Sequence, residues 1–334
     1  MSNLETRPVE TECEHTPVPR AGGRPVVEVL DAREVPLGGP RAMTVRRTIP
    51  QRQRSLIGAW CFADHYGPDD VGESGGMDVP PHPHTGLQTV SWLFSGEIEH
   101  RDSGGHHAMV RAGEMNLMTG GHGIAHSEVS TPGTRLLHGV QLWVALPDAA
   151  RDEPRAFQHH VPPAVHVTGA TARVFLGTLL GQTSPVRTFT PLLGAEITLD
   201  AGAHLTLGVD AEFEHGALAD PDGISLEGVP VPRAGLGFIG PGMRSLTLRN
   251  DADGPGRLVL LGGTPFEEDI LMWWNFVGRS HEEIERFRQE WQDEGDRFGR
   301  VEGYEGRTNR LPAPELPPVR IRPRQNPPPP TAPA

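Results

Sequence analysis

Residues 81–100 read PHPHTGLQTVSWLFSGEIEH, and residues 120–128 read GGHGIAHSE. The two stretches carry His82 and His84, then His126 and Glu128, as two pairs with one residue between the members. Side chains at i and i+2 lie on one face of a strand. If the two stretches form neighbouring strands, three imidazoles and one carboxylate converge on a point. Three neutral nitrogens and a carboxylate oxygen suit a single first-row metal: Fe, Mn, Ni, Co, Cu or Zn. Four protein ligands leave two positions of an octahedral ion open, which points to catalysis or reversible binding of a small molecule. Structural zinc sites are closed and rich in cysteine, and Cys13 and Cys61 both lie away from these histidines in sequence.

Outward from this region the chain is a series of short apolar runs broken by glycine and proline. Residues 87–94, 114–118, 140–146, 173–176, 196–199, 205–209, 245–249 and 258–261 read as strands. One helix is predicted near the end, where Ser280 and Glu283 form a capping box, Ile284, Phe287 and Trp291 make one apolar stripe, and Gly295 is the stop. The class is therefore all-β with a short C-terminal helix. Residues 235–240, GLGFIG, spell a dinucleotide-binding fingerprint. That motif needs a helix directly after it, whereas here Pro241-Gly242 leads into a strand-like RSLTLR.

The 334 residues allow two domains. The formal charge of −13 argues against a sequence-independent grip on nucleic acid, which depends on neutralising phosphates. Lysine is absent, so Schiff-base and lysine-base mechanisms are excluded. Two cysteines make no disulfide framework. No apolar run reaches the length of a membrane span, and the first residues lack the apolar core of a signal peptide. A cytoplasmic location is expected. Residues 1–24 read as a flexible arm, 25–160 as a metal-binding domain, 161–300 as a second domain, and 301–334 as a proline-rich, disordered tail.

The two central halves look like copies. Glu97-Ile98-Glu99-His100 matches Glu212-Phe213-Glu214-His215 at an offset of 115, and Arg111-Ala112-Gly113 matches Arg233-Ala234-Gly235 at an offset of 122. The difference predicts a longer loop around residues 220–227. Carried across, His82 and His84 fall on Ile197 and Leu199, and His126 and Glu128 fall on Leu248 and Asn250. The second half thus keeps the architecture without ligands. Of the other histidines, His100, His106 and His107 read as a polar turn, His122 as a candidate for the mouth of the site, His138 as a strand start, and His159 and His160 as a loop. Cys61 follows Trp60 in an apolar run and reads as a core residue.

The chain resembles the pirin family of bicupins. The resemblance is carried by FADHYGPDD (62–70), HPHTG (82–86), RAGEMNLMTGGHGIAHSE (111–128), GVQLWVALP (139–147) and GGTPFEEDILMWWNFV (262–277). It covers residues 25–295 and implies two facing jelly-roll cupin barrels. It also implies one metal, often iron, in the first barrel, held here by His82, His84, His126 and Glu128. Several pirin-like proteins open the ring of flavonols such as quercetin with dioxygen. The resemblance therefore implies a dioxygenase acting on a small aromatic substrate, with Glu128 as the base. A second implied role is metal- or redox-dependent regulation through a transcription factor or metabolic enzyme. In well-known members a glutamate stands where this chain has Gln88. Gln88 has the strand parity of His82 and His84, so it is expected to face the site.

Overall fold

The computed structural model describes residues 26–37, 43–72, 76–306 and 308–323. The arm read at 1–24, including Cys13, and the last residues of the tail lie outside these.

Two barrels are formed, each from a seven-stranded and a four-stranded antiparallel sheet. In the first barrel the large sheet runs, edge to edge, through Ala156–His160, Met115–Thr119, Leu87–Ser95, Leu136–Ala145, Trp60–Asp70, Met43–Ile49 and Arg33–Leu37. Its small sheet runs through Asp78–His84, Ile124–Ser130, Glu97–Asp102 and His107–Arg111. The second barrel repeats this order, with Glu214–Ala219, Gly256–Gly263 and Leu192–Leu199 at the centre of its large sheet. Its small sheet runs through His204–Gly208, Ser245–Asn250, Ile224–Leu226 and Val229–Pro230.

The two large sheets face each other. Val90, Trp92, Val140 and Leu142 of the first pack against Phe175, Leu218, Val259 and Leu261 of the second. Trp92 stacks on Phe175 at 4.8 Å. The Trp60 indole donates across the junction to the carbonyls of Leu193 and Gly262. Strands at this junction are buried on both faces, which is why they read as continuous apolar runs rather than as alternation.

The chain ends cross over. Glu28–Leu30 pairs with Leu236–Ile239 in the second barrel's sheet. Conversely, the described residues after 263 return to the first barrel, where Phe276 bridges to Thr85 and the hairpin Leu271–Trp273/Phe276–Gly278 precedes the helix His281–Gln292. Ile284, Phe287 and Trp291 pack against Phe276, Phe298 and Ala125. The Ser280 hydroxyl accepts from the Glu283 N–H as predicted. The Glu283 carboxylate, however, accepts from the Arg279 N–H. The left-handed residue at the helix end is Glu294, at φ 54°, and Gly295 donates to Glu290 just beyond it. The proline-rich stretch is docked on the first barrel at several points over 308–323. Leu311 donates to the Pro81 carbonyl and accepts from the Trp291 indole, and Ala313 and Ile321 are buried against the helix.

The internal match needs correction. Glu97–Asp102 corresponds in sheet order to Ile224–Leu226, whereas Glu214–Ala219 corresponds to Leu87–Ser95. The offset of 115 was a coincidence of residues, and the loop placed at 220–227 contains a strand instead. The offset of 122 is structural. It sets His126 on Leu248, and because Leu248 pairs with Leu205 as His126 pairs with His82, the counterparts of His82 and His84 are Leu205 and Leu207. All three leucines lie in the second barrel's core. Residues 235–240 hold the strand Leu236–Ile239 with no helix after it, as argued from Pro241.

A polar knot joins the barrels at one edge. His65 and His138 each place Nε2 within 2.8 Å of the same Asp220 oxygen, and Arg257 donates to its other oxygen at 3.3 Å. Burial alone would raise the Asp220 carboxyl, but the hydrogen bonds from His138 and His65 hold it well below the usual carboxylate range. Burial pushes His65 below its ordinary value, against the pull of Asp220. Asp220→Ala is expected to cost about 3 kcal/mol at neutral pH, since it leaves buried donors unanswered. The wild-type chain is expected to lose stability as pH falls below about 6.5. There the unfolded chain takes up protons that buried His65 and His215, both lowered mainly by burial, resist in the folded state. Urea unfolding at pH 7.5, 6 and 5 reads both effects.

Candidate metal centre

Strands Asp78–His84 and Ile124–Ser130 are neighbours, and His126 pairs directly with His82 while Ile124 pairs with His84. The proline-rich PPHPH segment forms a strand because it lies at the edge of the small sheet, where missing N–H groups are tolerated. The following turn requires Gly86, which sits at φ 65° and whose Cβ would collide with the Val277 carbonyl. A bulge between His126 and Glu128 then shifts the register by one residue.

His82, His84 and His126 are fully buried, and one nitrogen from each lies within 4.8 Å of the others. The His82 Nδ1–H donates to the Pro80 carbonyl at 2.8 Å, which leaves its Nε2 bare, without a hydrogen-bond partner among the described residues. His84 Nε2 and His126 Nε2 are 3.0 Å apart. Two nitrogens bound at right angles to one ion, each at about 2.05 Å, lie about 2.9 Å apart. Burial lowers all three imidazoles, His82 to about 4 and the other two well below their ordinary value, with neighbouring imidazoles adding to the effect at His84 and His126. Neutral imidazole is the form that ligates. The orphaned nitrogen, the close pair and the neutral rings all fit a metal ion.

Glu128 is buried on the same strand, outside that three-nitrogen group, with Ser91 donating to it at 3.4 Å. Several interior residues were not singled out from sequence. Trp143 sets its edge against His84 at 5.2 Å and stacks on Phe62 at 4.0 Å. Ser91 also donates to Gln141 at 3.0 Å. The Tyr66 hydroxyl and the Gln141 amide nitrogen are buried with no hydrogen-bond partner among the described residues. Burial, then the Glu128 charge, raises Tyr66 well above its usual value, so it stays a neutral donor. Parity along the central strands would have found these residues, since Ser91, Gln141 and Trp143 share the face opposite Val90, Val140 and Leu142.

Gln88 does not face the site. It lies on the face of Val90 and Trp92, toward the second barrel, and donates to Thr119 at 3.0 Å. Parity was carried from His84 through the Thr85–Gly86 turn, but the strands on either side belong to different sheets. His100 is buried with Nδ1 3.4 Å from His126 Nδ1, so it backs a candidate ligand. His122 is exposed at the rim of a cavity of about 420 Å³ that also touches Thr85, and Arg297 donates to it. His138 is on a strand as expected. His159 and His160 lie on a strand rather than in a loop. Cys61 is buried in the core.

A family model described as Pirin matches residues 42–144, and one described as Pirin C-terminal cupin domain matches 194–299. A Pseudomonas aeruginosa protein provisionally named a quercetin 2,3-dioxygenase is 44% identical over 87% of this chain and 91% of its own. A pirin-like protein of Caulobacter vibrioides is 34% identical over 79% of this chain and 92% of its own. A crystal structure of a quercetin 2,3-dioxygenase from Acinetobacter baumannii superposes with a TM-score of 0.82 at 36% identity, over 89% of this chain and 97% of that one. The architecture is thus the all-β bicupin with one C-terminal helix. No helix among the described residues is long and apolar enough to cross a membrane.

His82→Ala and His126→Ala are each expected to strip a first-row metal from the purified protein, while His122→Ala at the rim retains it. Elemental analysis of the three variants beside wild type checks this.

Proposed function

The chain belongs to the pirin family, and we propose that it is a metal-dependent dioxygenase of the flavonol ring-opening type, with iron as the ion and His82, His84, His126 and Glu128 as its ligands. One observation carries the reading: the three buried, neutral imidazoles of His82, His84 and His126 meet with one nitrogen left bare. Resemblance to proteins named for quercetin oxidation supplies the substrate class.

An ion held by these residues would supply Lewis acidity toward a substrate hydroxyl. The chain supplies the rest. Glu128 is the carboxylate placed to take the substrate's hydroxyl proton, and Ser91 Oγ holds it from one side. Tyr66 and Gln141 offer unpaired donors to substrate oxygens. Trp143, held by its stack on Phe62, is the aromatic ring beside His84 that a flat substrate would meet. A regulatory role has no comparable support among these residues.

Oxygen uptake by iron-reconstituted protein with quercetin, against metal-free protein, tests the reading. Metal-dependent uptake matched to loss of the flavonol is expected. No uptake by protein shown to hold iron overturns it. Glu128→Gln is expected to lower turnover by about 10²–10⁴-fold, the range for removing a proton-transfer group.

A further inference from the structure

Behind His126 runs a chain of hydrogen bonds that the reaction itself does not use. His126 Nδ1 is 3.4 Å from His100 Nδ1. His100 Nε2 is 3.1 Å from Asp102 Oδ2. The other Asp102 oxygen accepts from the backbone N–H groups of Gly104 and His106 and faces the His106 ring nitrogen at 3.1 Å. Phe157 packs on both His100 and His106, with ring centres 4.9 and 5.4 Å away. His100 and Asp102 are buried, and only His106 reaches the surface.

The direction of this chain follows from valence. An ionised carboxylate can only accept, so His100 Nε2 carries the proton. With Nε2 turned to Asp102, His100 presents Nδ1 to His126 as the acceptor. His126 must donate from Nδ1, which leaves Nε2 as the bare nitrogen on the side of His82 and His84. His82 reaches the same state by a shorter route, through the Pro80 carbonyl.

We propose that His100 and Asp102 are positioning residues that fix the tautomer of His126 and so prepare its Nε2 to bind the metal. Asp102 sets the direction, His100 transmits it, and the two backbone N–H groups hold the carboxylate in place. The proposal rests on the metal reading above and adds to it the origin of one ligand's readiness. A carboxylate or carbonyl directly behind a ligating histidine is the commoner arrangement. Here a second imidazole stands between them.

The test is titration of metal-free, full-length protein with Co(II), followed by the visible absorption of the bound ion. His100→Leu removes the acceptor. Asp102→Asn can turn an NH₂ toward His100 and reverse the chain. Both are expected to bind Co(II) about 10–100-fold more weakly, the usual cost of losing such a partner, with a shifted spectrum. His100→Gln can accept from His126 and donate to Asp102, and it is expected to recover most of the affinity. Glu99→Gln, whose side chain contacts Arg101 and His107 instead, should bind as wild type. Thermal midpoints of the metal-free variants separate this effect from loss of fold. If folded His100→Leu and Asp102→Asn both bind Co(II) with wild-type affinity and spectrum, the proposal is overturned and the metal reading stands. If wild type binds no Co(II), both fall.

Discussion

The pairing of Asp78–His84 with Ile124–Ser130 is the constraint on which the rest depends. With His82 opposite His126, three rings point into one barrel. A slip of one residue would send each strand's side chains to the other face and scatter the cluster. Register at an edge strand rich in proline is weakly held by hydrogen bonds alone, since each proline removes a donor. The molecule compensates from outside. Leu311 donates to the Pro81 carbonyl, and Phe276 bridges Thr85 just past His84. The C-terminal helix then packs Phe287 and Trp291 into the cluster that includes Ala125, the neighbour of His126. A segment some two hundred residues downstream thus clamps the strand that carries two candidate ligands.

This explains why the halves exchange their ends. The first barrel lends Glu28–Leu30 to the second barrel's sheet and receives residues 264–306 and 308–323 in return. The second barrel's sheet takes a strand from outside its own run, and the first barrel is covered by one hairpin and helix from the far end of the chain. The polar knot of His65, His138, Asp220 and Arg257 adds a further tie at the junction. Stability of the site and of the junction are therefore coupled through the backbone.

Much of this was legible in sequence for a physical reason. The ligand pairs share strand parity, and parity survives folding whenever both residues lie on one strand. Strands buried on both faces showed as apolar runs. The helix showed through its cap and stripe. Two expectations fail for one cause: parity or offset is carried across a break that sequence does not display. Gln88 was projected through the turn at Gly86, and His82 was projected onto Ile197 through insertions of different length. His100 was read as part of a polar turn because its value lies in contact with His126, 26 residues away, which no local pattern announces. The docked stretch 308–323 was hidden by composition, since its prolines suit an extended strap as well as a solvated tail.

The second barrel shows what the first gives up. At the positions of His82, His84 and His126 it carries Leu205, Leu207 and Leu248, all buried in one continuous apolar core. Each buried leucine contributes about 2 kcal/mol. The first barrel replaces these with imidazoles whose burial is costly without a partner, and it also buries Tyr66 and Gln141 with unpaired donors. Its apolar interior is divided between two clusters, one around Val45, Val79, Leu93 and Ile98 and one around Phe62, Leu87 and Trp143. The duplicated architecture divides the work: one barrel is packed for rigidity, and the other leaves a set of convergent polar groups held at fixed spacing against that support. A metal ion supplied to His82 Nε2 and its neighbours would satisfy the groups that folding alone leaves bare.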